Sequence, residues 1–348
     1  MNLKNKPMRA VALGVLLAVL LRMIFSLALG NVWEIFSQPK LASFLIQSES
    51  GREPPETTAP VTTQPTTEPT EPPTTEPPTT EPVTEPTLPP VTVPQDSALL
   101  TEEDVAYVEM NYSASRNPDI EALLTKPLMW SLTGEDPAVL IVHTHGTEAF
   151  TPTEDRTYEE NGGEFRTTDD RHNMISVGDE LTRLLEEAGI NVVHDRTYYD
   201  YPDYLSAYDN AREGTKDMLA QYPTVKLVID LHRDAAEYAD GTQWATSATV
   251  NGEKSAQVMF VLGTDSYYNH PNWQENLSVA LKLNALMEKS HPGVTRPIDL
   301  RKQRFNQDLT TGAMIAEIGA AGNTHEEAMN AISVLAEAII LLAHGANQ

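Results

Sequence analysis

The sequence predicts an α/β domain with a mostly parallel central sheet and helices on both faces, preceded by a transmembrane helix and a disordered linker. Three observations carry that prediction. From about residue 137 onward, short apolar runs alternate with longer amphipathic ones, the pattern of a parallel sheet covered on both sides. Residues 51–95 are almost wholly Thr, Pro, Glu and Val. Residues 10–30 form an apolar run about as long as a bilayer requires, interrupted only by Arg22.

Taken in order, residues 1–9 carry Lys4, Lys6 and Arg9, and positive charge ahead of a first apolar helix favours a cytoplasmic N-terminus. Residues 10–30 are then a single-pass signal anchor in the cell membrane, with everything later outside the cytoplasm. A cleaved signal peptide is the rival, but the run is long and Ala28, Leu29 and Gly30 make a poor cleavage site. Residues 31–50 form a juxtamembrane segment. The 51–97 segment, with its repeated Thr-Glu-Pro units, cannot bury enough apolar surface to offset its ordering entropy. As polyproline II it spans at most roughly 140 Å, a spacer that carries a domain away from a membrane. Residues 98–136 read as a short approach segment with brief helical periodicity, and 137–345 as the folded domain.

Inside that domain VLIVHT is a strand, and MISVGDELTRLLEEAG a helix stopped by Gly189. INVVHDR is a strand, and LSAYDNAREGTKDMLAQYP a helix ended by Pro223. VKLVIDLH and AQVMFVLGT are strands, and WQENLSVALKLNALMEKSHPG is a long helix. AMIAEIG is the last strand, and a helix capped at Asn323 or Thr324 closes the chain.

The formal charge of -26 excludes nucleic acid as a partner, because nothing could neutralise a run of phosphates. The chain has no Cys, so a disulfide framework and a thiolate metal site are both excluded. Any metal is held by His, Asp or Glu.

Chemistry is expected where open α/β sheets place it, at strand carboxyl ends. His145, His232 and Glu317 each stand where an apolar run stops. Two His and a carboxylate form a zinc site with a position left for water, and Glu317 suits the general base. Two carboxylates compete for the third ligand: Asp169, just before the helix that begins near Asn173, and Glu148, three residues from His145. Asp230 and Asp234 flank His232 as candidate orienting groups. His143 alternates with His145 and is assigned to the tetrahedral oxyanion. Trp273, Asn276, Arg301, Arg304 and Asn306 are candidates for substrate contact, Trp through its face and Arg as a carboxylate clamp. The Glu-, Gly- and Thr-rich loop 151–168 is read as a lid.

The segments VLIVHTHGTEAFTP, RTTDDRHNMISVGDELTRLLEEAGINVVHDRTYYDYP, KLVIDLHRDA, QVMFVLGTDS, HPNWQENLSVALKLNALME, RKQRFNQDLTTGAMIAEIG and GNTHEEA resemble, in this order, the stage II sporulation protein P family of membrane-anchored cell-wall hydrolases. They cover nearly all of 137–330. The domain also looks like a divergent relative of zinc-dependent N-acetylmuramoyl-L-alanine amidases, whose ligand positions match His145, Asp169 and His232 and whose catalytic Glu matches Glu317. Asp replaces the usual Glu at 169, the loop after His145 is longer, and His143 and Glu148 are extra. What the resemblance implies is zinc-dependent cleavage of peptidoglycan between N-acetylmuramic acid and L-alanine, and also of peptide cross-links, in septal thinning during engulfment. Stage II sporulation proteins D and M are the implied partners. The rival readings are an endopeptidase of stem peptides and a wall-binding scaffold without turnover.

Overall fold

The structure, a computed structural model, describes residues 100–235, 238 and 242–345. The readings of residues 1–9, 10–30, 31–50 and 51–97 fall outside the described residues.

Seven strands form one sheet: β1 (Met110–Tyr112), β2 (Val139–Val142), β3 (Val192–His194), β4 (Leu227–Asp234), β7 (Val258–Gly263), β8 (Ile298–Arg301) and β9 (Gly312–Ala320). Their order is β1-β8-β7-β9-β4-β2-β3. Five of the six pairings are parallel, as expected. The exception is β7 against β9, which is antiparallel. The sheet is therefore two parallel blocks running in opposite directions. The run 256–264 reads correctly as a strand, but its direction is invisible to periodicity. Segment 100–136 supplies the edge strand β1 and helix α1 (Ile120–Thr125) to the same fold. A small hairpin, β5 (Ala248–Val250) and β6 (Glu253–Ser255), turns at Asn251 and Gly252, both with positive φ, as a two-residue hairpin turn requires.

The two faces of the sheet differ. Strand alternation sends Val139, Ile141, Leu227, Ile229, Met314, Ala316, Val258 and Phe260 to one face, into the main core. That face is covered by α2 (Met174–Glu187), α4 (Trp273–Ser290) and α5 (His325–His344). Helix α2 ends with Gly189 at φ +81, one residue past its cap Ala188. Gly189 and Ile190 donate back to Glu186 and Leu185, closing the helix end. Helix α5 begins at a capping box between Thr324 and Glu327. It is the one helix among the described residues long and apolar enough to cross a membrane, but 72% of its apolar window is buried here as core. The opposite face carries smaller clusters, Leu140, Val142, Val228 and Ala313 beside Met259, Val261 and Ile315. It is covered by Met218, Leu219 and Tyr222, at the end of α3 (Ala207–Gln221), and by Phe305.

On this second face the strands change character along their length. β4 runs Val228, Asp230, His232, and β9 runs Ala313, Ile315, Glu317. Both are apolar near α3 and ionisable at the carboxyl end, and that gradient positions the site.

Candidate active site

The parallel register of β4 and β9 sets His232 beside Glu317, and an irregularity in the ladder follows between His232 and Asp234. Bulges of this kind re-aim side chains at sheet edges. β2 ends at Val142, and the turn after it carries His145 and Glu148 to the same edge. The His145 and His232 rings lie 5.3 Å apart and perpendicular. Glu148 Oε2 lies 3.5 Å from His232 Nδ1. His145, His232 and Glu148 are at most 4% exposed, and Glu317 is half-buried with its Oε2 enclosed.

Asp230 orients this edge. Its carboxylate accepts from Thr144 N at 2.7 Å and Thr144 Oγ1 at 2.6 Å, which pins the start of the turn. It also lies 3.0 Å from His232 Nε2, though not aligned as a hydrogen bond. Asp234, the other flanking acid, is paired with Arg296 at 2.8 Å.

Two arginines that sequence reasoning missed hold Glu148. Arg166 reaches Glu148 Oε1 at 3.1 Å and Asp200 Oδ2 at 3.0 Å. Arg233 donates its backbone N–H to Glu148 Oε2 and its guanidinium to the carbonyls of Ala149 and Phe165. Arg166, Phe165 and Tyr158, whose hydroxyl donates to Phe150 O at 2.6 Å, tie the 151–168 loop to the domain. Two tyrosines were also missed. Tyr204 stacks on His145 at 4.6 Å, and Tyr208 meets its ring edge-on at 5.6 Å. The available signal was the run of five tyrosines between 198 and 208 directly after a strand.

Charge follows from burial and these partners. Burial pushes the Glu148 carboxyl up, but Arg233, His232 and Arg166 outweigh it and hold the group well below the usual range. Burial keeps His145 well below the ordinary imidazole value. Burial acts against charge on His232 too, yet Asp230 and Glu148 lift it well above that value. Glu317 is pushed up to about 8, first by burial, then by Asp234 and Glu148, against the pull of His232 and Arg301.

Both ring nitrogens of His145, Nε2 of His232 and Oε2 of Glu317 are buried without a hydrogen-bond partner. Each such group costs about 1–3 kcal/mol, so their concentration at one point calls for an explanation. Two imidazoles beside a buried carboxylate are a zinc donor set, and by that chemistry the residues fit the ion. Among the described residues no three His, Asp or Glu side chains already close into a metal-holding group.

The other sequence candidates lie elsewhere. Asp169 is partly exposed, bonded to Arg171 at 2.7 Å and 3.2 Å from His172 Nδ1, and Arg171 holds its carboxyl down to about 2. His143 keeps the alternation of Val139 and Ile141 and so faces α2, with Nδ1 at Leu231 O and Nε2 2.8 Å from His194 Nε2. The reversal at β7 puts the carboxyl ends of β7 and β8 at the amino end of β9. Trp273 and Asn276 are buried there, with Asn276 accepting from Ala313 N at 3.0 Å and donating to Gln307 O. Arg304 pairs with Asp308, and Asn306 donates to Tyr208 O. Arg301 folds back on Asp299 and is the one of these five whose charge reaches Glu317.

The family model for stage II sporulation protein P (SpoIIP) matches residues 55–340. Stage II sporulation protein P of Bacillus subtilis (strain 168) is 32% identical over 219 residues, covering 59% of this chain and 51% of that protein. The chain thus spans about half the length of that curated relative. Among solved structures, the N-acetylmuramoyl-L-alanine amidase AmiC2 of Nostoc punctiforme is 12% identical at a TM-score of 0.37, over 60% of this chain and 96% of that one. The amidase Ami1 of Mycobacterium smegmatis is 11% identical at 0.37, over 61% and 98%. The chain belongs to the stage II sporulation protein P family.

Proposed function

We propose that the protein is a zinc-dependent peptidoglycan hydrolase that cleaves the amide between N-acetylmuramic acid and L-alanine, with peptide cross-links as a second substrate. The observation that carries the reading is the buried edge where His145, His232 and Glu148 stand together with Glu317 in register beside His232. His145, His232 and Glu148 would hold the ion; Glu148 is preferred to Asp169 because it alone of the two is buried against His232. Zinc, when bound, lowers the pKa of water and polarises a carbonyl.

The chain's own residues do the rest. Glu317, raised to about 8 by burial in the absence of the ion, would be the base in its ionised form, which the positive charge of bound zinc favours, and would take a proton from the attacking water. The water oxygen bonds to the carbonyl carbon, the carbon–nitrogen bond breaks, and Glu317 returns the proton to the leaving amine. Asp230 fixes the turn and the His232 ring, and Arg166 and Arg233 keep Glu148 ionised and in place. The family supports a setting in sporulation, in septal wall remodelling during engulfment. The apolar run 10–30 would anchor the domain outside the cytoplasm, with stage II sporulation proteins D and M as partners.

The test is the zinc-loaded full-length chain, in detergent, incubated with purified peptidoglycan beside Glu317→Gln, with soluble products identified by mass spectrometry. Free stem peptides from the wild type alone are expected. Cut cross-links without freed stems would make it an endopeptidase instead. No product from either protein would favour a wall-binding scaffold.

A further inference from the structure

We infer that the Tyr208 hydroxyl is the oxyanion donor of this site, bonding the scissile carbonyl oxygen as that oxygen takes on negative charge. The inference rests on the amide-hydrolase reading above and deepens it, giving a role to a side chain outside the ligand set and the base.

The geometry begins with the backbone. A 3-10 turn at Tyr204–Ser206 leads into α3, and Tyr208 occupies the first turn of that helix. Its ring stands edge-on to His145 at 5.6 Å and is packed on another side by Phe305 at 6.0 Å. Asn306 Nδ2 donates to the Tyr208 carbonyl at 2.8 Å, so the helix start is anchored as well. Ring and backbone are both held, which is what a preorganised donor needs.

The hydroxyl itself is uncommitted. Among the described residues it makes no hydrogen bond, while its position brings it within electrostatic reach of Asp230, Glu317 and Glu148. An ordinary phenol, with a pKa of about 10, keeps its proton and remains a donor at neutral pH. The neighbouring candidates are engaged otherwise. Tyr204 lies flat on His145 with the Arg166 guanidinium over its ring at 4.6 Å. His143 has both ring nitrogens directed at Leu231 and His194 on the other face of the sheet.

The role balances chemically. As the water oxygen bonds to carbon, the carbonyl π pair moves onto its oxygen, and Tyr208 donates a hydrogen bond to it without giving up its proton. When the carbon–nitrogen bond breaks, that pair returns to re-form the carbonyl, and the amine takes its proton from Glu317.

The experiment compares the zinc-loaded full-length chain with Tyr208→Phe on a soluble N-acetylmuramoyl peptide. Melting temperature and zinc content are measured on both. Removing one oxyanion donor lowers kcat by about 10²-fold. KM and zinc per chain are expected to stay within twofold. A phosphinate isostere of the scissile amide, tetrahedral like the intermediate, is expected to lose roughly tenfold or more in affinity by calorimetry, a readout that needs no turnover. A Phe variant whose kcat and phosphinate affinity stay within threefold of wild type overturns the assignment while leaving the hydrolase intact. Loss of zinc or of melting temperature in step with kcat assigns Tyr208 a structural role and overturns it too. A wild type that neither hydrolyses the amide nor binds the phosphinate removes the underlying reading and the Tyr208 role with it.

Discussion

Replacing Gly178 by Ala tests the packing behind the site, because two effects predict opposite signs. Gly178 sits inside α2, where intrinsic helix propensity favours Ala by about 1 kcal/mol. The surroundings oppose it. A Cβ there would lie 2.5 Å from His194 Nε2, 2.7 Å from His143 Nε2 and 2.8 Å from His194 Cε1. Those two nitrogens make the 2.8 Å hydrogen bond between the rings. Neither ring can retreat freely: His143 is fully buried and directed at Leu231 O, and His194 pairs with Asp179 at 3.2 Å. Overpacking costs about 1–3 kcal/mol, and a buried group left without its partner about 1–3 kcal/mol more. After the propensity gain is subtracted, Gly178→Ala is expected to destabilise by roughly 3 kcal/mol. Guanidinium unfolding followed by tryptophan fluorescence reads this as a lower midpoint at unchanged slope. The cost should also shrink in a His194→Ala background, where the clash is relieved. A midpoint that rises, as propensity alone requires, would refute the packing argument.

Three further outcomes follow from the same structure. His325, buried against Phe150 and Ser176, is pushed down to about 3, mainly by burial. The unfolded chain binds this proton first, so stability falls as pH drops from about 6.5 toward 3, by up to about 4 kcal/mol. His325→Gln should flatten that part of the pH–stability curve, and an unchanged acid limb would contradict it. Glu148→Gln should weaken zinc binding by more than roughly 10²-fold in a chelator competition, whereas Asp169→Asn stays within about threefold; the reverse order would restore Asp169 as the ligand. Because His232 is held protonated between Asp230 and Glu148, zinc binding should release about one proton near neutral pH and weaken as pH falls. Calorimetry in buffers of different ionisation heat measures the release, and heats independent of buffer would count against a His232 ligand.

Much of the architecture was legible because hydrophobic period and punctuation are local. The alternation that ends α2 at Gly189 and starts α5 at a Thr324–Glu327 box is written within a few residues. His145, His232 and Glu317 were legible for the same reason, each closing an apolar run. Strand direction is not local. Nothing in VMFVLG says that it pairs antiparallel with β9, and the short strands β1 and β8 lack enough residues to show a period. Arg166 and Asp200 were hidden because Arg166 bridges two acids, Glu148 and Asp200, that stand 18 and 34 residues from it on other loops. The His143 orientation turned on where β2 ends: two residues of ordinary alternation past Ile141 send it inward, and only the turn after Val142 frees His145 to reach the other face.

The reversal at β7 also changes what the residues near 301–308 do. In a sheet with all carboxyl ends on one edge, Arg304 and Asn306 would look into the same groove as His232. Here they sit at the amino end of β9 and act on α3. Arg212, on α3, is bonded through both terminal nitrogens to Asp308, and Asp308 is paired in turn with Arg304. Asn306 adopts a left-handed conformation at φ +59 and holds the carbonyl of Tyr208. Four side chains from one irregular segment and one helix thus fix the first turns of α3 against the sheet. That helix is the part of the thinly covered face from which Tyr208 meets His145. Residues that the sequence suggests as a substrate clamp therefore support the site from behind, through the helix that completes it.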